Sequence, residues 1–72
     1  FIIETSDGTY FQSYRSIIAF IPANRGEKIK LDEYYWNYSR TTGKYRNEFL
    51  REDINETRKK IEDGIYELAE LN

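Results

Sequence analysis

The chain has no cysteine, no histidine and no methionine, and only one proline among its 72 residues. Without cysteine there is no disulfide to restrict the unfolded chain and no thiolate to hold a metal, so stability must come from packing or from a partner subunit. Without histidine the chain lacks the commonest general base, the commonest metal ligand and any Ser-His-Asp or Cys-His nucleophile pair. Gly8, Gly26, Gly43 and Gly64 are dispersed. They form neither G-x-G-x-x-G nor G-x-x-x-x-G-K, so no nucleotide cradle is expected. No apolar run approaches the roughly 20 residues that cross a bilayer, and no basic-then-apolar leader opens the chain. The expected setting is therefore the cytoplasm, with no membrane partner. A chain that begins at Phe1 without methionine has lost its start residue or is a fragment of a longer polypeptide.

Carboxylates are what remains for catalysis. Glu4, Asp7, Asp32, Glu33 and the acidic tail could supply an acid/base pair or a magnesium site, but no D-x-D-x-D-G loop or comparable spacing occurs. Acids at turns and helix starts usually serve as caps or solvated charges. The expectation is a binding domain with no catalytic residue, no metal and no cofactor.

What the chain does have is rings, with seven tyrosines, four phenylalanines and one tryptophan. A domain of this length lies near the lower limit for independent folding, so residues 1–72 make one domain in which each buried ring matters. The net charge of −2 hides a polarised distribution. From Tyr34 to Arg51 the bases Arg40, Lys44, Arg46 and Arg51 face the single acid Glu48. From Glu52 onward Arg58, Lys59 and Lys60 face seven acids, among them Glu62, Asp63, Glu67 and Glu70.

Phe1–Thr5 and Thr9–Tyr14 are rich in β-branched and aromatic residues, and Ser6-Asp7-Gly8 between them is turn chemistry, which predicts an antiparallel hairpin. Ile17-Ile18-Ala19-Phe20-Ile21 is apolar throughout and reads as a central strand covered on both faces. Pro22–Gly26 breaks it, and Lys28-Ile29-Lys30-Leu31 alternates as a half-buried strand. One turn of helix suits Asp32–Tyr38. Ser39 or Thr41 caps a helix that carries Tyr45 and Phe49, although Gly43 inside it costs about 1 kcal/mol relative to alanine. Asp53, with Glu56 three residues on, starts a second helix whose face carries Ile54, Arg58 and Ile61. Gly64 either ends that helix and releases Ile65–Leu71 as a strand, or is tolerated within it; the strand is preferred. The predicted class is α+β, a small antiparallel sheet of four or five strands packed against one or two helices.

The segment Tyr34-Tyr35-Trp36-Asn37-Tyr38-Ser39-Arg40-Thr41-Thr42-Gly43-Lys44-Tyr45-Arg46 interleaves rings with bases and hydroxyls, as single-stranded nucleic acid binding requires. In that reading Arg40, Lys44 and Arg46 meet phosphate, Thr41 offers a hydroxyl, and Tyr38 or Tyr45 stacks on a base. The plainer reading makes Tyr35, Trp36, Tyr38 and Tyr45 core that joins helix to sheet. The acidic end likewise reads either as a solvated face or as a surface, formed by Glu62, Asp63, Glu67 and Glu70, that imitates nucleic acid.

At the Tyr-Trp-x-Tyr-Ser-x-Thr-Thr-x-Lys core the chain resembles small proteins of bacterial phages and other mobile elements, mostly of unassigned function. The resemblance also takes in Tyr10–Tyr14, Ile17–Ile21 and Phe49-Leu50; Tyr45 departs from the histidine of many relatives. It implies a host bacterial cell and an inhibitor of host defence of the anti-CRISPR kind, which attaches to a host nuclease or other defence protein and blocks its access to nucleic acid. A nucleic-acid-binding module built on residues 34–51 is the alternative, and a homodimer through an exposed sheet edge or an aromatic patch the third.

Overall fold

A computed structural model describes all of residues 1–72. The chain forms β1 (Ile2–Thr5), β2 (Gly8–Ser13), β3 (Ser16–Pro22), β4 (Lys30–Asp32), α1 (Arg40–Leu50), α2 (Ile54–Glu62) and β5 (Glu67–Ala69). It is an α+β domain, with one sheet of order β1-β2-β3-β4-β5 and two helices. The first four strands pair antiparallel, whereas β5 pairs parallel to β4, with Leu31 opposite Leu68. An all-antiparallel sheet is thus corrected at this one pairing. Both helices intervene between β4 and β5, and such a crossover is the kind of connection that parallel strands need.

Ser6 and Asp7 form the first hairpin turn, with Thr5 paired to Gly8. Gly8 has φ 153°, and a Cβ there would lie 2.3 Å from the Ile21 carbonyl oxygen and 2.7 Å from the Phe20 ring. Glycine is therefore required by the close approach of β3 as well as by the backbone angle. β3 is central, and a bulge opposite Phe11 and Gln12 gives it one extra residue, Ile18, which packs into the core beside Ala19.

The core is Phe11, Ile18, Ala19, Leu31 and Tyr66, with Tyr35, Trp36, Phe49, Leu50 and Ile61 among the residues packed on it. Phe49 on α1 stacks over Phe11 on β2 with ring centroids 5.4 Å apart, which seats the helix on the sheet. Each such buried side chain contributes about 1.5–3 kcal/mol before the entropy cost of ordering.

Ser39 is the N-cap of α1, its Oγ accepting from the Thr42 N–H at 3.2 Å, so Thr41 lies inside the helix. Thr42, itself buried, also meets Ser13 of β2, oxygen to oxygen at 3.0 Å. Arg51 closes the helix in the left-handed conformation at φ 58°. Asp53 caps α2 through Glu56 N–H at 2.9 Å. Gly64 at φ 76° ends it, with the Ile65 N–H reaching back to the Lys60 carbonyl at 2.8 Å, and the chain leaves as a strand.

Candidate functional site

Two carboxylates that could have been catalytic are consumed by the fold. Asp32 is buried, and its Oδ2 accepts from the N–H groups of Tyr34 and Tyr35 at 3.0 and 2.8 Å while Oδ1 accepts from Leu71 at 2.9 Å. It shapes the aromatic turn, where the Trp36 N–H returns to the Asp32 carbonyl at 3.0 Å, and ties down the C-terminal segment. Burial alone would raise its carboxyl, but the N–H groups of Leu71, Tyr35 and Tyr34 outweigh that and hold it below its ordinary value. Glu52 accepts from Lys60 Nζ at 2.6 Å, Thr57 Oγ1 at 2.7 Å and Tyr66 Oη at 2.8 Å. Its burial is likewise outweighed by these donors. Tyr66, buried and bonded to that carboxylate, is pushed up to about 12. No three His, Cys, Asp or Glu side chains come together as metal ligands.

The aromatic run divides. Tyr35 and Trp36 pack on the core, whereas Tyr34 and Tyr38 are 70% and 61% exposed. Tyr38 leans on the rings of Tyr34 and Tyr35 at 6.3 and 5.4 Å. Tyr45 is also exposed, but with Thr41 it faces a separate apolar flank beside Phe1, Phe11 and Tyr14.

The basic residues converge. Arg40, Lys44 and Arg46 of α1 line one open depression with Arg58 of α2, between Asn37 and Asn47, and no carboxylate lines it. Its volume of about 810 Å³ falls in the range of ligand sites. Arg46 is 1% exposed. Its Nη1 donates to the Trp36 carbonyl at 2.7 Å and to Asn37 Oδ1 at 3.2 Å, and its Nη2 donates to Asn47 Oδ1 at 2.9 Å. The guanidinium carbon lies 5.4 Å from the Trp36 ring centroid. Arg46 makes no ion pair, and its Nε is the single buried side-chain polar atom without a partner. Burial, and then the nearby charge of Arg58, push its pKa down, against a smaller opposing pull from the charge of Glu52. As a surface contact for phosphate Arg46 is therefore corrected, since it is a buried charge beneath the exposed Arg40, Lys44 and Arg58.

The helix dipole points the same way. A helix start favours acids and a helix end favours bases, each by about 0.3–1 kcal/mol. α1 reverses this, opening on Arg40 with no acid in its first turn and carrying no base in its last. α2 follows the rule, with Glu56 first and Lys59 and Lys60 last. The start of α1 is thus an electropositive terminus reinforced by cations.

The chain belongs to DUF8033, a family of unknown function. The family model matches residues 1–66, a span that contains every lining residue of the depression and excludes Glu67 and Glu70. No curated protein and no solved structure matches the chain.

The acidic residues gather into no comparable site. Asp63 pairs with Lys59 at 3.5 Å, and Glu67 lies opposite Lys30 in the sheet; Glu62 and Glu70 are exposed. Sequence reasoning missed Arg58, Asn37 and Asn47. The helical period places Arg58 on one face of α2 with Ile54 and Ile61, and only the corner between the helices brings it into one depression with Arg40. No helix is long and apolar enough to cross a membrane.

Proposed function

We propose that this domain binds single-stranded nucleic acid through the basic depression, as a binding module and not an enzyme. The observation that carries this reading is the convergence of Arg40, Lys44 and Arg58 over the buried Arg46 at the start of α1, with no carboxylate among the lining residues. Phosphate neutralisation supplies most non-specific affinity, and it depends on local rather than net charge. Tyr34 and Tyr38, exposed in the segment that leads into α1, provide rings for stacking. Thr41 and Tyr45 take no part.

The test is anisotropy of a labelled single strand between about 50 and 200 mM salt. Three exposed cations on a single strand give a log–log slope of about −2, so affinity falls roughly 20-fold over that range. Arg40→Ala and Arg58→Ala each reduce the slope by about 0.7. Failure to bind at low salt overturns the reading.

A second reading, attachment to a host defence protein as an inhibitor of the anti-CRISPR kind, draws on the resemblance to small phage proteins and on a different surface. Phe1, Ile2, Tyr14 and Tyr45 are 82%, 52%, 77% and 47% exposed beside the unpaired edge of β1. Exposed apolar patches of this kind mark protein contacts. Reversing Glu62, Asp63, Glu67 and Glu70 to lysine tests whether the acidic end contributes to any such inhibition.

A further inference from the structure

Gly43 is buried at the start of α1 and adopts no positive φ, so its backbone does not need glycine. Alanine there would favour the helix by about 1 kcal/mol. Nor does the packing forbid a methyl group. A Cβ at Gly43 would meet only the guanidinium of Arg46, at 3.5 Å from Nη2 and 3.8 Å from Nη1, an ordinary contact distance. What the glycine does is keep a methyl group off the floor of the depression, where the buried guanidinium lies against the backbone of α1.

Around the buried guanidinium the charge is unbalanced. Arg46 has a buried Nε with no partner and no carboxylate in ion-pair contact, and it lines the depression beside Arg40, Lys44 and Arg58. A buried charge in this condition is costly unless an opposite charge joins it. The amides at a helix start favour an anion as well, and α1 brings no acid of its own to that end.

We infer that the depression is a seat for a terminal phosphate monoester at the end of a nucleic acid strand. An internal phosphodiester carries one negative charge and is flanked on both sides by nucleotides, so it lies across the mouth and meets the exposed Arg40, Lys44 and Arg58. A terminal monoester carries about 1.5 to 2 charges at pH 7. It also protrudes, and so descends toward a residue that is 1% exposed. More charge and deeper entry both select the end of the strand. The inference rests on the nucleic acid reading and names the group which that site takes.

The experiment compares three single-stranded oligonucleotides of one sequence, carrying a 5′-phosphate, a 3′-phosphate or hydroxyls at both ends, each with an internal label. The expected result is at least 10-fold tighter binding of one phosphorylated form than of the hydroxyl form. Gly43→Ala is expected to reduce this preference below about 3-fold while raising the melting temperature, an outcome that separates loss of the seat from loss of the fold. Equal affinity for all three oligonucleotides overturns the inference and leaves the nucleic acid reading standing. Binding of none overturns both. A preference that survives in Gly43→Ala also overturns it, by placing the phosphate elsewhere.

Discussion

Glu52 and Arg46 are both nearly inaccessible charged side chains set along or just beyond α1, and their surroundings differ in a way their burial does not disclose. Glu52 follows the C-cap of α1 and receives three hydrogen bonds, from Thr57 and Lys60 of α2 and from Tyr66. One of these donors is a cation whose ammonium also lies 5.4 Å from the Tyr66 ring centroid. The acid is satisfied within the chain and fastens the two helices to the segment before β5. Arg46 donates to a carbonyl and two amide oxygens but to no carboxylate, and one of its nitrogens has no partner. A complete charge network indicates a structural clamp. An incomplete one, at an open surface lined by further cations, indicates a place for an external anion.

The largest effect that tests this contrast is on the clamp. Glu52→Ala leaves the Tyr66 hydroxyl without its acceptor, the Thr57 hydroxyl with only the Asp53 carbonyl at 3.2 Å, and Lys60 without its partner. Three hydrogen bonds to a charged acceptor are lost, and even with the part-exposed Lys60 falling back on water this costs about 3 kcal/mol or more. A domain of this size has little more than that in total, so thermal or denaturant unfolding is expected to show a largely unfolded variant. Retention of most of the stability would mean that the corner of the helices is held by apolar packing alone and that Glu52 is no clamp.

Much of the fold was legible because its determinants are local. Ser6-Asp7-Gly8 marked a hairpin, Ser39 and Asp53 marked helix starts, and the unbroken apolar run of β3 marked the centre of the sheet. Less local features were not legible. β4 starts at Lys30, two residues later than the alternation in Lys28–Leu31 suggests, because Asn24 organises the preceding turn through the Gly26 and Glu27 N–H groups. The parallel partner of β4 is set by a crossover that no local pattern encodes. For the site, charge counting found the basic middle segment but could not tell the buried Arg46 from the exposed Arg40 and Lys44. That difference depends on the Trp36 carbonyl, ten residues away. Composition equally could not divide Tyr35 and Trp36, which pack inward, from Tyr34 and Tyr38, which do not.

A smaller effect comes from titrating the satisfied acids in place of deleting one. Asp32 and Glu52 are both held below their ordinary values. The stability they add is present above their unfolded values near pH 4 and is lost as pH falls through the lower folded values. Tyr66 works in the opposite direction. Its folded value of about 12 lies above the ordinary 10.0, so its contribution is intact below about pH 10 and is lost on the way to 12. Melting temperature against pH is therefore expected to be flat from about 5 to 9 and to fall on both sides. Glu52→Gln should lower the plateau and flatten the acid limb, because a neutral amide has no proton to gain. An acid limb unchanged by Glu52→Gln would assign it to Asp32 alone.

The smallest effect on stability, and the sharpest test of the contrast, is expected at Arg46. Arg46→Met keeps a long side chain against Trp36 and removes the charge. It costs the Trp36 carbonyl and two amide oxygens their donor, at about 1 kcal/mol for each bond that water cannot replace. It also relieves a buried cation of a desolvation penalty that no contacting carboxylate offsets, Glu52 acting only through its charge at a distance, and replacing buried charge with apolar bulk is often neutral or stabilising. The two terms oppose each other, so a change within about 1 kcal/mol is expected, against about 3 kcal/mol for Glu52→Ala. Single-strand binding should weaken in the same variant even though the exposed cations remain. Unfolding of Arg46→Met on the scale of Glu52→Ala would make the guanidinium a second clamp. The depression would then be a by-product of packing, and the case for a phosphate beside it would fall with the distinction on which it rests.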